Sequence, residues 1–181
     1  LSRSDNSQIA ITTASIATIA ALKDKGIEPS AVMGFSLGEF PALYAAGVLS
    51  FEDVIKVVRQ RGLIMQKVCE KIAAENEGHA PGMSAILGLE PEKVVEIAKG
   101  IKETVISGTF DALTQAEEKA KEAGARRAVR LRVAGPFHCP LMQEAADELE
   151  KVLKDVKFND PKIHLFSNVT GKEVAHSEEA K

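Results

Sequence analysis

The stretch Ala31-Val32-Met33-Gly34-Phe35-Ser36-Leu37-Gly38-Glu39-Phe40 constrains this chain more than any other. A short apolar run leads into Gly-x-Ser-x-Gly. A helical pattern follows, with Leu37, Phe40, Leu43 and Tyr44 at helical spacing. This is the layout of a nucleophile elbow, a strand that delivers a serine to a sharp turn. Gly34 and Gly38 have no Cβ, which lets strand and helix pack closely around the serine. The helix start would aim unsatisfied N–H groups and a positive dipole end at whatever the serine attacks. The backbone N–H of Leu37 would then be one donor of an oxyanion hole. A Gly-x-Ser-x-Gly pentapeptide alone is a weak signal, so the strand-then-helix context carries the reading.

The rest of the chain supplies a framework. Residues 5–24 read as a helix capped by Asp5 or Asn6, apolar on most sides and therefore expected to be buried. Gly26 ends it. Helix, strand and helix in succession predict a parallel sheet and an α/β fold. The elbow helix runs to about Ala46 and stops at Gly47. Ser50 opens a second helix with Asp53 three residues on, a capping-box pattern. Val54, Val57, Val58, Leu63, Ile64 and Val68 are expected on its buried side to about Ala74. Gly62 within it hints at a close approach by another element.

Residues 75–82 are polar with two Gly and a Pro, the best linker in the chain. Beyond it the texture changes. Strands are expected at Met83–Leu89, Thr104–Ser107 and Ala128–Val133, with helices at Glu92–Ala98 and Asp111–Ala123. That β-α-β-α-β succession predicts a small ferredoxin-like insert between Gly82 and Ala134. Gly135-Pro136-Phe137-His138-Cys139-Pro140 breaks the pattern. A helix follows from about Leu141 to Val156, turning Leu141, Met142, Ala145 and Leu149 inward, and then a strand at Ile163–Ser167.

Composition narrows the classes. At 181 residues with 45% hydrophobic content, the chain fits one domain with a small insert. A net charge of −3 gives no support for nucleic-acid binding. No apolar run reaches the ~18 residues of a membrane span. Cys69 and Cys139 are far apart and have no neighbouring metal-type ligands, so neither a disulfide nor a metal site is expected, and a reducing cytoplasm is the natural setting. The chain opens Leu1-Ser2-Arg3-Ser4-Asp5, with neither a signal peptide nor an initiator Met, and reads as a piece of a longer polypeptide, incomplete at both ends.

A serine hydroxyl needs a base within hydrogen-bond reach. His79 lies in the linker, His176 in the polar tail and His164 in a strand. His138 follows Gly-Pro-Phe at a strand-to-helix junction, where sites are built, and a helix start would keep it neutral. A helix-capping histidine is the plainer alternative. Arg61, amid apolar neighbours on its helix, either snorkels to solvent or anchors an anion through two parallel hydrogen bonds. Arg59 points elsewhere. Arg126, Arg127, Arg130 and Arg132 form a basic run that is either a solvated strand face or a landing site for an anionic partner.

Together, Gly34-Phe35-Ser36-Leu37-Gly38-Glu39, Arg61-Gly62 with Met65, Gly-Pro-Phe-His138 and Ser-Asn168-Val-Thr-Gly171 resemble the malonyl-CoA:acyl carrier protein transacylase family. That family includes the acyltransferase domains of fatty acid and polyketide synthases. The resemblance implies an α/β-hydrolase-like large subdomain, here 1–81 and 135–181, carrying a ferredoxin-like small subdomain, here 82–134. It implies Ser36 as nucleophile, His138 as base, Arg61 as partner of the malonyl carboxylate, the Leu37 N–H in the oxyanion hole, and Met65 lining the pocket. Phe137 would restrict α-branched acyl groups. The implied reaction moves malonyl from malonyl-CoA to the phosphopantetheine thiol of acyl carrier protein, in fatty acid synthesis, by a monomer needing no cofactor. The chain departs from the family at Phe35, where His is usual, and in a short 99–104 loop; the family's N-terminal strand and C-terminal part have no counterpart here. Two other classes stay open: a serine esterase or thioesterase, for which Arg61 would have no use, and a non-enzymatic carrier-protein-binding module.

Overall fold

The computed structural model describes residues 3–90, 92–94 and 105–180. Its elements are α1 (Ser4–Asp24), β1 (Ala31–Met33), α2 (Glu39–Ala45), α3 (Phe51–Glu75), β2 (Gly82–Leu87), β3 (Val105–Gly108), α4 (Phe110–Glu122), β4 (Arg127–Arg130), α5 (Gln143–Lys154), β5 (His164–Phe166) and β6 (Glu173–Val174). Short 3-10 turns precede α2 at Ser36–Gly38 and α5 at Pro140–Met142. Of the expected helix at Glu92–Ala98 only 92–94 falls within the described residues, and these are helical. The 99–104 loop and Thr104 lie outside them.

The fold is α/β with two three-stranded sheets. In the first, β1 pairs parallel with β5, placing Val32 opposite Leu165, and β6 adds antiparallel. In the second, β2 is central and antiparallel to both β3 and β4. The expected parallel arrangement is thus confined to β1 and β5.

The chain forms two compact units, one of residues 5–63 and 148–181, the other of residues 1–4 and 64–147. The first has a core of Leu43, Ala46, Val48, Val54, Val57, Val58 and Leu165. Val54, Val57 and Val58 lie at helical spacing on α3 and are fully buried, each burial stabilising by about 1.5–3 kcal/mol. The core of the second is Ile86, Val94, Ile106, Leu113 and Ala120. Ile86 comes from β2, Ile106 from β3, Leu113 and Ala120 from one face of α4, and Val94 from the helical residues 92–94, so one face of the sheet is covered.

Local chemistry sets the helix boundaries. Ser50 Oγ accepts the Asp53 N–H at 3.0 Å and its hydroxyl donates to Asp53 Oδ2 at 2.7 Å, the capping pattern read from the sequence. Thr109 caps α4, its hydroxyl oxygen accepting from the Ala112 N–H. Gly47, at φ 75°, ends α2 in a left-handed conformation.

Three expectations are corrected. Helix α1 is not enclosed: its buried residues are Ser4, Gln8, Thr12 and Ile16, one stripe spaced by four, while Ile11 and Leu22 are exposed. Its hydroxyls made it look apolar on most sides because they bond their own helix; Thr13, Ser15 and Thr18 donate to carbonyls four residues back. Leu63, expected inward, is exposed, because it lies off the stripe that runs through Val54, Val57, Val58 and Ile64. Leu141, also expected inward, is exposed within the 3-10 turn, where the helical period of α5 has not begun. No helix among the described residues is long and apolar enough to cross a membrane.

Candidate active site

Ser36 stands at the turn between β1 and α2 with φ 52°, a left-handed conformation that is costly for a residue with a side chain. Phe35 before it is extended, with φ −88° and ψ 127°. The reversal from extended to left-handed in one step is what makes the elbow sharp. It brings the following turn back onto Gly34. A Cβ at Gly34 would overlap the Gly38 carbonyl and lie 2.6 Å from the Glu39 N. Leu37 follows in the 3-10 turn with its side chain against the first unit's core. Phe35 is 74% exposed and forms no part of that core.

Arg61 belongs to the same unit. It projects from α3 toward α1 and α2: its guanidinium donates from Nη1 to Gln8 Oε1 at 2.5 Å, and its Cζ lies 5.6 Å from the centre of the Phe40 ring. Burial pushes the guanidinium below its usual value, and the charge of Glu39 opposes that shift. Glu39 also accepts the Asn168 N–H at 3.2 Å, which ties the loop after β5 to the elbow. Arg61 is thus desolvated and held by a neutral amide and an aromatic face. Such a guanidinium retains donors suited to a carboxylate. Arg59 is exposed, as expected.

Gln8 is the residue that sequence reading missed. It is 6% exposed in the second turn of α1. A buried glutamine on a helix otherwise rich in Ala, Ile and Thr is a signal that a polar partner waits across the interface, but the partner's identity is not written in the local sequence.

The other expected site residues belong to the second unit. His138 has φ 60°, the second non-glycine residue of the expected pair to adopt the left-handed region, and its ring is on an exposed residue. Gly135 and Pro136 ahead of it are buried, and Phe137 is half-buried. Met65, one turn beyond Arg61 on α3, is half-buried. The structure therefore gathers Ser36, Leu37 and Arg61 in one unit and Met65, Phe137 and His138 in the other.

The remaining histidines have other surroundings. His164 Nδ1 is 2.5 Å from Glu173 Oε1 across β5 and β6, both side chains being exposed. His79 packs its ring 4.9 Å from that of Phe110. His176 precedes the 3-10 turn at Ser177–Glu179. Of the basic run, Arg130 is tied down: its Nε donates to Glu117 at 2.7 Å and its guanidinium stacks 4.9 Å over Phe110. Arg126, Arg127 and Arg132 are exposed.

A strand–elbow–helix bearing a left-handed serine, on an α/β framework, defines an acyl-transferring or acyl-hydrolysing class. The family model for the acyl transferase domain matches residues 1–180, and the chain belongs to that family. Among its relatives is the malonyl CoA-acyl carrier protein transacylase of Bacillus subtilis (strain 168), 40% identical over 180 residues that cover 91% of this chain and 55% of the relative. That of Haemophilus influenzae is 37% identical, covering 93% and 57%. The crystal structure of an acyl carrier protein S-malonyltransferase from Vibrio cholerae O1 superposes with a TM-score of 0.83 at 35% identity, covering 98% of this chain and 60% of that one. A malonyl-transacylase in complex with its type II PKS acyl-carrier protein gives 0.86 at 33% identity, with coverage of 98% and 60%. The chain thus spans a little over half the length of these relatives.

Proposed function

We propose that the protein is an [acyl-carrier-protein] S-malonyltransferase, moving malonyl from malonyl-CoA to the phosphopantetheine thiol of acyl carrier protein in fatty acid synthesis. The observation that carries this reading is Arg61: a desolvated guanidinium in the unit of the elbow serine, held by Gln8 rather than by a bonded carboxylate. A malonyl thioester is an acyl group that ends in a carboxylate. A plain esterase has no use for that cation. The relatives carrying the malonyl transacylase name support the same substrate.

In this reading the Ser36 hydroxyl attacks the thioester carbonyl as His138 takes its proton. The Leu37 N–H donates to the oxyanion. The tetrahedral intermediate collapses, the CoA thiolate leaves with the proton from His138, and a malonyl-serine ester remains. The phosphopantetheine thiol then repeats the steps in reverse, with its proton passing to His138 and on to the Ser36 oxygen. Arg61 holds the malonyl carboxylate throughout. Met65 and Phe137 line the acyl site, and Phe137 limits α-branching. No cofactor takes part.

The subdomain reading belongs to this proposal: an α/β-hydrolase-like large subdomain of 1–81 and 135–181 and a ferredoxin-like small one of 82–134. The antiparallel β3-β2-β4 sheet with its own core supports the latter. The protein works as a monomer in the cytoplasm, where Cys69 and Cys139, both free thiols, stay reduced. Arg126, Arg127 and Arg132 meet the acidic carrier protein or the CoA phosphates, so Arg126→Glu with Arg132→Glu raises KM for the carrier protein, measured by transfer kinetics at low salt.

The central test is mass spectrometry of the intact protein after incubation with malonyl-CoA. A malonyl adduct on Ser36, absent from Ser36→Ala and discharged by holo carrier protein, is the expected result. Rapid hydrolysis without transfer would establish a hydrolase instead.

A further inference from the structure

Gly135 is a glycine by space, not by backbone. Its φ lies outside the left-handed region in which the chain's positive-φ glycines stand. What excludes a side chain is Cys69 on α3: a Cβ at Gly135 would collide with Cys69 Sγ, and would lie 3.2 Å from Phe137 Cε1 and 3.5 Å from Cys69 Cβ. Cys69 is 3% exposed, and burial pushes its thiol up to about 11, so it packs there as a neutral, compact group. Pro136 is buried as well and restricts the conformation of Gly135 before it. On the far side of His138, Cys139 Sγ donates to the Pro136 carbonyl at 3.0 Å, and the Cys139 carbonyl accepts the Met142 N–H at 3.0 Å. Burial raises the Cys139 thiol too, which keeps its proton in place for that bond.

His138 stands inside this bracket with φ 60°. A non-glycine residue in that region is strained and persists only where its surroundings over-determine it. Two thiols stand in those surroundings: one beneath Gly135, one closing the turn onto Pro136. We propose that Cys69, through its contact with Gly135, and Cys139, through its bond to the Pro136 carbonyl, are positioning residues that hold the His138 backbone in its left-handed conformation and so aim the imidazole. The proposal rests on the reading of His138 as the general base. It makes the protein's two cysteines conformational rather than redox or nucleophilic groups.

The test uses the intact protein and malonyl transfer from malonyl-CoA to holo carrier protein. Gly135→Ala forces the loop off Cys69; displacement of a catalytic group by about 1 Å costs about 10²-fold, and here it falls on kcat with KM for malonyl-CoA changed less than about twofold. Adding Cys69→Ala removes Sγ and leaves Cβ at ordinary contact, so the double variant regains activity to within about fivefold of the wild type, the pair being coupled through one contact. Cys139→Ala lowers kcat about tenfold, while Cys139→Ser, which keeps a donor, lowers it less than about threefold. Wild-type kcat in Gly135→Ala, or no rescue in the double variant, overturns the proposal while His138→Ala remains inactive. Wild-type activity in His138→Ala overturns the base assignment and this inference together. Should Gly135→Ala melt below the assay temperature, equal rates in Cys139→Ala and Cys139→Ser overturn it.

Discussion

At the scale of single residues, the proposed chemistry rests on the elbow and its cation. Ser36 stands at a left-handed turn, and Gly34 permits that turn because only a residue without a Cβ leaves room for the Gly38 carbonyl. Gly34→Ala is expected to destabilise by about 3 kcal/mol or more, since the collision is with main chain that cannot rotate away; thermal unfolding reads the loss, and an unchanged melting temperature would mean the turn is looser than it looks. Arg61→Ala should depress malonyl transfer by about 10²-fold or more while sparing or raising acetyl transfer, because only malonyl brings a carboxylate to pair. Equal loss on both acyl groups would make Arg61 a packing residue. Gln8→Ala should follow Arg61→Ala in direction and fall short in size, since it frees the guanidinium without removing its charge.

At the scale of elements, the antiparallel β3-β2-β4 sheet is clamped to α4 by charge. Burial opposes ionisation of Glu117, but the hydrogen bonds from Arg130 and Ser84 outweigh it and hold the carboxyl below its usual value. A carboxyl depressed in the folded state stabilises the fold above the unfolded value of about 4.3, and that contribution is lost as pH falls through the folded value. Denaturant titrations between neutral pH and pH 3 should therefore show part of the acid-side loss missing in Glu117→Gln. An unchanged slope would mean the pair is screened. The same pair shows why a basic run is a poor guide to binding. Arg127 and Arg132 are exposed, but Arg130 is paired with Glu117 on α4, a contact that spacing along the strand does not record.

At the scale of the whole molecule, two cores answer for two units. Leu165→Ala in the first and Ile86→Ala in the second are each expected to cost about 2–5 kcal/mol, or roughly 4–20 °C in melting temperature for a chain of this size. Much of this organisation could be read from the sequence. The elbow, the Ser50 cap, the stop at Gly47 and the alternating strands of the second sheet all depend on contacts within a few residues, and local spacing records those. Ser36, the Leu37 N–H, Arg61 and His138 could be singled out from residue type and local position, whereas Met65 and Phe137 entered only through the resemblance to the acyltransferase family. The burial of α1 could not. Thr13, Ser15 and Thr18 bond back to their own helix, and the hydroxyl that is buried instead, that of Thr12, sits in the same run of Ala, Ile and Thr, so the sequence shows no preference for which side faces in.

What the amino-acid sequence determined by itself is thus the local geometry: strand, turn, helix and cap, and the residue types that can carry acyl transfer. Only the tertiary structure decided that Gln8 holds Arg61 across 53 positions, that Glu39 reaches the Asn168 amide, that Arg130 is spent on Glu117, and that a thiol on α3 leaves room only for glycine before His138. The reason is physical. Backbone hydrogen bonds and steric limits act between near neighbours and leave a periodic trace, whereas desolvation and close packing act between whatever surfaces the fold brings together. Those surfaces carry no common period, so no reading along the chain can pair them.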